Sequence, residues 1–216
     1  SFVDLSSIVP GVTVAKNEGY KTIISIRGVG NETNQNAIAA PSVAYHMDGI
    51  FIASPFSLQT DFIDVQRIEV LRGPQGTLFG QNSTGGAINV ISNKPTTDER
   101  FSKADITYGD YGMKQLRSSS NFPISDNVST KLSLSAMTRE GFTENLATGQ
   151  DLDDAHNLSF RTDWMIDVND TTSLRIFGQY SSVDRNGAAI RGIDDQSPGM
   201  RKLSQNTISK QELTSS

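Results

Sequence analysis

Two textures of hydrophobic patterning divide the chain. Up to residue 93, apolar residues come in short runs broken by glycine, proline and asparagine; farther on they alternate with polar residues at a period of two. In the first part, residues 5–9 predict one helical turn that Asp4 can cap, and Pro10-Gly11 stops it before a strand over 12–15. The β-branched run 22–29 predicts a single strand, followed by a polar loop over 30–36. Runs 43–45 and 50–52 flank Asp48-Gly49, a tight-hairpin signal, and after Pro55 the stretch 58–65 fits a short helix. Two further strands, carried by Ile68, Val70 and Leu71 and by Ala87, Ile88, Val90 and Ile91, enclose Gly73, Gly76, Gly80, Gly85 and Gly86. The expectation is a small α+β unit over 1–93, a polar hinge over 94–100, and antiparallel strands over 101–216.

Five strands are legible in that second part. Ala104, Ile106 and Tyr108 alternate with Lys103 and Asp105; Val128, Leu132 and Leu134 with Lys131 and Arg139; Leu158, Phe160 and Trp164 with Arg161 and Asp163; Leu174, Ile176 and Tyr180 with Arg175. A weaker strand over 115–122 carries Arg117 on its polar side. All eight charges keep to one parity. A lipid-facing Arg or Lys at mid-bilayer costs about 2–4 kcal/mol in a β-barrel, which would account for the segregation. A soluble antiparallel sheet with one wet face alternates in the same way, so the strands alone leave both readings open. The connections 123–127 and 167–171 are short, whereas 140–155 and the stretch from 184 onward are long, the habit of periplasmic turns and extracellular loops.

Composition changes this picture little. With 36% hydrophobic residues and a mean hydropathy of −0.35 the chain would ordinarily describe a soluble protein, but transmembrane barrels hide their apolar face by alternation. No apolar run approaches the roughly 18 residues of a spanning helix. The chain has no cysteine and only two histidines, His46 and His156, so thiolate chemistry is excluded and metal ligands are few. A net charge of −5 argues against nucleic acid as a partner. Ser1 opens mid-pattern without an initiator Met, a basic segment or an apolar segment, and the end is equally abrupt; the chain is expected to be an internal fragment of a longer exported protein.

The glycine-rich segment fails as a phosphate loop, since the spacing from Gly80 to Gly85 is followed by Gly86-Ala87 where Lys and Ser/Thr are required. What it resembles is the plug domain of TonB-dependent outer-membrane receptors. The resemblance rests on RIEVLRGPQGTLFG from Arg67 to Gly80 and TGGAINVI from Thr84 to Ile91, with weaker echoes upstream at ISIRG from Ile24 and YHMDGI from Tyr45. It covers about the first half of the chain closely.

The resemblance implies an α+β plug followed by the first strands of a truncated transmembrane β-barrel of roughly 22 strands. It implies residence in the bacterial outer membrane among its lipids, capture of a scarce nutrient, and energy from the inner-membrane TonB complex through an N-terminal motif lying outside this chain. An iron–siderophore complex is the leading class of cargo, and haem, cobalamin and oligosaccharide receptors share the signature. In that family the arginines of the two R-G motifs pair with glutamates on the barrel wall, so Arg27 and Arg72 are expected to anchor the plug, with Glu69 able to neutralise one of them locally. Outward plug loops gather ligand, making Asn31, Glu32, Asn34, Phe56, Gln81 and Asn82 the candidate contacts.

Other candidates are weaker. His46 and Asp48 share a strand face without a third ligand, so no metal site is expected there. Asp151, Asp153, Asp154 and Asn157 evoke a calcium loop but lack its Gly and terminal Glu. No Ser/His/Asp constellation is legible and no cofactor is implied. The competing readings are a β-rich periplasmic or surface interaction module and, third, a hydrolase built on the glycine loop. A five-stranded sheet with open edges is expected to aggregate outside its barrel.

Overall fold

The computed structural model describes residues 5–17, 21–30, 41–52, 62–80, 82–146, 148–185, 202–203 and 211–215. The chain forms two compact units, Ser1–Asn93 and Lys94–Ser216.

The first unit opens with α1 (Leu5–Ile8) and β1 (Val12–Asn17), which pairs antiparallel with β2 (Lys21–Ile26). The expected single strand over 22–29 is instead two. Arg27 and Gly28 both take positive φ, 54° and 77°, so the chain reverses in two residues and β3 (Val29–Gly30) lies back on β2, Val29 opposite Ile26. The same chemistry recurs at Asp48 and Gly49, φ 51° and 83°, between β4 (Val43–Met47) and β5 (Ile50–Phe51). Of the expected helix over 58–65, the described part is irregular at 62–64 and already strand at Val65.

β6 (Val65–Arg72), α2 (Gly76–Phe79) and β7 (Gly86–Ser92) complete the unit. The sheet order is β5-β4-β7-β6, with β4 parallel and β6 antiparallel to β7. Leu5, Val12, Ile24, Ile26, Val43, Tyr45, Ile88 and Val90 form the core shared by both small sheets. Ile26, Ile88 and Val90 are fully enclosed, worth about 1.5–3 kcal/mol each by transfer.

In the second unit β8 (Phe101–Gly109), β9 (Met113–Ser125), β10 (Val128–Arg139), the short hairpin β11 (Thr143–Asn145) and β12 (Gln150–Leu152), then β13 (Ala155–Asn169) and β14 (Thr172–Arg185) follow in order. β15 (Lys202–Leu203) lies parallel to β11, and β16 (Gln211–Ser215) adds a sixth strand to the main sheet beyond the five legible in sequence. That sheet, β16-β14-β13-β10-β9-β8, is antiparallel throughout and open at β8 and β16. Its turns at 126–127 and 170–171 are two residues long. β9 runs on through Pro123, which the ladder tolerates beside the bulge at Val128/Ser129. No helix among the described residues is long and apolar enough to cross a membrane, which does not bear on strands.

The registers line side chains up in lateral rows. Gln179, Arg161, Ser133, Ser119 and Lys103 form one row on the polar face; Tyr180, Phe160, Leu134, Ser118 and Ala104 form the next on the apolar face. Burial is the reverse of a soluble sheet. Lys131, Arg161 and Asp163 are 4%, 3% and 2% exposed, whereas Ile106, Tyr108 and Val168 are 65%, 74% and 61% exposed. Along β10 and β13 the apolar side chains point outward and the charged ones are enclosed, whereas toward the β8–β9 edge Lys103, Asp105 and Arg117 are exposed.

Candidate functional site

The glycine-rich excursion between β6 and β7 closes on itself. The backbone N–H groups of Gly73 and Gln75 donate to the carbonyls of Gly85 (3.2 Å) and Ser83 (3.0 Å), those of Phe79 and Gly80 to Gln75 (2.9 Å) and Gly76 (3.1 Å), and Ser83 Oγ to the Gly80 carbonyl (2.7 Å). Gly86 has φ 142°, and a Cβ there would stand 2.3 Å from the Leu71 carbonyl oxygen and 2.8 Å from Ile26 Cδ1. Only glycine lets β7 start so close to β6.

Arg72 ends β6, exposed, opposite Gly86, and Arg27 sits exposed at the β2–β3 turn with its N–H bonded to the Gly11 carbonyl at 2.7 Å. Among the described residues neither guanidinium has a carboxylate partner. Glu69 does not neutralise either of them. Strand alternation puts Glu69 on the face of Arg67 and opposite to that of Arg72. Arg67 Nε donates to Glu69 Oε1 at 2.8 Å, and Asn89 Nδ2 donates to Glu69 Oε2 at 3.2 Å. The Arg67 bond, then the Asn89 bond, hold the Glu69 carboxyl below its usual range. Asn82 occupies a left-handed position, φ 66°, in the turn after α2. Asn31, Glu32, Asn34, Phe56 and Gln81 lie outside the described residues.

Phe51, His46, Asn89 and Glu69 are lateral neighbours across β5, β4, β7 and β6. His46 is buried against Phe51 and Phe79, ring centroids 5.5 and 5.0 Å away, and burial lowers its pKa. Among the described residues, His46 Nδ1 and Asn89 Oδ1 are buried without a hydrogen-bond partner. Tyr45, on the core side, has its phenol pushed up by burial and then by the charge of Asp48.

The enclosed face of the second unit carries a denser cluster. Asp163 accepts from Arg161 Nη2 at 3.2 Å and from Arg175 Nε at 2.9 Å, and Arg161 lies 4.4 Å over the Phe177 ring. Lys131 is the register partner of Asp163. Asn121, fully buried, receives the Thr96 N–H at 3.0 Å and donates to the carbonyls of Thr96 and Glu99 at 2.9 and 2.6 Å, clasping the stretch just before β8. Among the described residues no group of three or more His, Asp or Glu could hold a metal ion. Asp153 of the calcium-like stretch instead accepts from Thr143 Oγ1 at 2.6 Å, across the β11–β12 hairpin.

A profile of the TonB-dependent receptor plug domain matches residues 1–87, the stretch that holds both R-G turns and the glycine excursion. The pesticin receptor of Yersinia pestis is 33% identical over 152 residues, 68% of this chain and 21% of that protein. This chain belongs to the TonB-dependent receptors. The metal-pseudopaline receptor of Pseudomonas aeruginosa is 28% identical over 105 residues, 48% of this chain and 14% of that receptor. Among solved structures, the ferric yersiniabactin uptake receptor from Yersinia pestis superposes with a TM-score of 0.78 at 24% identity, covering 93% of this chain and 31% of that one. The siderophore receptor PiuA from Acinetobacter baumannii gives 0.69 at 19% identity, over 89% and 25%. The matched stretch thus spans about a fifth of the pesticin receptor and about a seventh of the metal-pseudopaline receptor.

Sequence reading missed Arg67 as the partner of Glu69, although an i, i+2 spacing on one strand face signals it. It also missed the Asp163 cluster, whose signal was there: Arg161 and Asp163 share a face, and Arg175 stands diagonally across β14. Asn121 left no trace, because its partners are backbone groups.

Proposed function

We propose that this chain is the plug and opening barrel strands of an outer-membrane receptor that captures a scarce nutrient and passes it inward. The observation that carries the reading is the inverted sheet that follows the plug, with Phe160, Trp164 and Ile176 outward and Arg161 and Asp163 enclosed. A water-soluble interaction module would present the opposite face. The leading cargo is an iron–siderophore complex, a class supported by the names of the similar receptors. The receptor acts as a gated binding protein and carries no catalytic step. Energy comes from the TonB complex of the inner membrane, engaged by a motif outside residues 1–216.

Arg27 and Arg72 anchor the plug to glutamates of the barrel wall; both are exposed on their own unit, as such an anchor requires. Glu69, held by Arg67, supports that edge of the plug. Asn31, Glu32, Asn34, Phe56, Gln81 and Asn82 contact ligand.

The full-length receptor should partition into outer membranes, migrate heat-modifiably in SDS, and restore iron–siderophore uptake to a receptor-less strain only when TonB is present. Outer-membrane partition without any iron–siderophore binding would overturn the cargo class, and failure to partition would overturn the receptor reading itself.

A further inference from the structure

At the long-loop end of the outward face, the row Ser182, Leu158, Ala136, Leu116 and Ile106 crosses β14 to β8. Its small members Ala136 and Ser182 alternate with leucines, and a groove of about 540 Å³ opens on them, with Tyr180 at one side and Tyr108 at the other. The next row toward the loops turns polar at once: Asp184, His156, Thr138 and Lys114. The groove is therefore amphipathic along the strands, apolar below and polar at its mouth.

The polar row also specifies the sign of the head group. His156 is engaged, with Nδ1 at 3.0 Å from Thr138 Oγ1 and Nε2 at 3.7 Å from Asp154. Asp184 has interactions of its own and stands three strands from Lys114. Among the described residues no carboxylate lies within ion-pair distance of the Lys114 ammonium. A cation at the mouth of an apolar groove, on the register partner of Tyr108, suits a phosphate carried on an acyl chain. Inorganic phosphate would leave the groove empty, and an uncharged lipid would leave Lys114 unused.

We propose that this groove holds one acyl chain of a phosphate-bearing outer-leaflet lipid, the chain lying over Ala136 and Leu158 and the phosphate resting on Lys114. The proposal rests on the reading of this face as lipid-facing.

Native mass spectrometry of the full-length receptor in detergent tests it, with a bis-phosphorylated acyl-glucosamine lipid, its dephosphorylated form, and inorganic phosphate as probes. The phosphorylated lipid should be retained, the dephosphorylated form about tenfold more weakly, as expected for loss of one charge-assisted hydrogen bond, and phosphate alone not at all. Lys114→Gln should reproduce that loss at the surface, and Ala136→Trp should fill the groove and abolish retention, both variants keeping heat-modifiable migration. Equal retention by wild type and both variants, or retention of phosphate alone, would overturn the site. A receptor that reaches the outer membrane yet retains no lipid sinks only this proposal, whereas one that never reaches it sinks the receptor reading as well.

Discussion

Asp48 and Ser92 are tied three times across the plug sheet: the Ser92 hydroxyl lies 2.9 and 2.8 Å from the two Asp48 carboxylate oxygens, and the Ser92 N–H donates to Oδ1 at 3.0 Å. Asp48 sits at φ 51° in the β4–β5 turn, and Ser92 closes β7, nearly fully buried. Removing the carboxylate leaves a buried hydroxyl and a buried N–H to find new partners. Asp48→Ala should cost about 1–3 kcal/mol, with Asp48→Asn recovering part of it. Hydrogen exchange in β4 and β7 of the receptor is the readout, and unchanged protection in Asp48→Ala would refute the tie.

Gly86 and Gly80 share the glycine-rich signature but should tolerate alanine differently. Gly80, φ 73°, has open space where a Cβ would go, so only the left-handed backbone is at stake, about 1–2 kcal/mol. At Gly86 the same atom meets the Leu71 carbonyl as well, and the strands must separate. Gly86→Ala should therefore destabilise by at least about 2–4 kcal/mol and lower the yield of protease-resistant plug. Equal behaviour of the two variants would show that the close approach of β6 and β7 does not limit stability.

The outward face should reject charge where the inward face accepts it. Phe160 lies mid-row between Tyr180 and Leu134, while Gln179 is on the enclosed row beside Arg161. Phe160→Arg should cost about 2–4 kcal/mol of barrel stability, and Gln179→Lys far less. Comparing the heat-modifiable fraction of each full-length variant in outer membranes decides it.

Asp163 is the common acceptor for two arginines, one of them fully enclosed. Asp163→Ala leaves both cations without that carboxylate, at about 3 kcal/mol or more, whereas a paired Asp163→Leu, Arg161→Met exchange should recover much of the loss. Urea midpoints of the refolded receptor would separate the two outcomes.

Much of this was legible because local chemistry and global fold agree. The Asp48-Gly49 turn and the parity of Lys131, Arg161 and Asp163 each follow from a short-range rule. The reversal at Arg27-Gly28 was not legible: the β-branched pattern runs straight through it, and only the left-handed backbone at Arg27 breaks it. The direction in which the alternating strands face was equally hidden, since a wet-faced sheet and a barrel wall share one pattern until burial distinguishes them. Glu69 was placed with the wrong arginine because motif proximity to Arg72 competes with strand alternation, and alternation wins.

His46 supplies a pH dependence with a definite sign. Its ring is buried between Phe51 and Phe79, burial lowers its pKa below the usual 6.5, and among the described residues its Nδ1 has no partner that would stabilise a proton. In the unfolded chain the same histidine takes up its proton as pH falls through 6.5, so the unfolded state binds more protons and stability drops with acidification. The contribution is fully present above 6.5 and is lost as pH falls from there toward the folded-state value. Glu69 acts lower down: its pKa is depressed below 4.5 chiefly by Arg67, so its contribution holds above 4.5 and disappears only as pH falls through its folded-state value. Between pH 6.5 and 4.5, protonation of His46 in the unfolded chain thus destabilises the plug. His46→Phe keeps the aromatic packing and removes the titration, so the protection of β4 measured by hydrogen exchange should fall from pH 7.5 to 5 in the wild type and stay level in the variant. Parallel pH profiles in the two proteins would assign the acid sensitivity to another group.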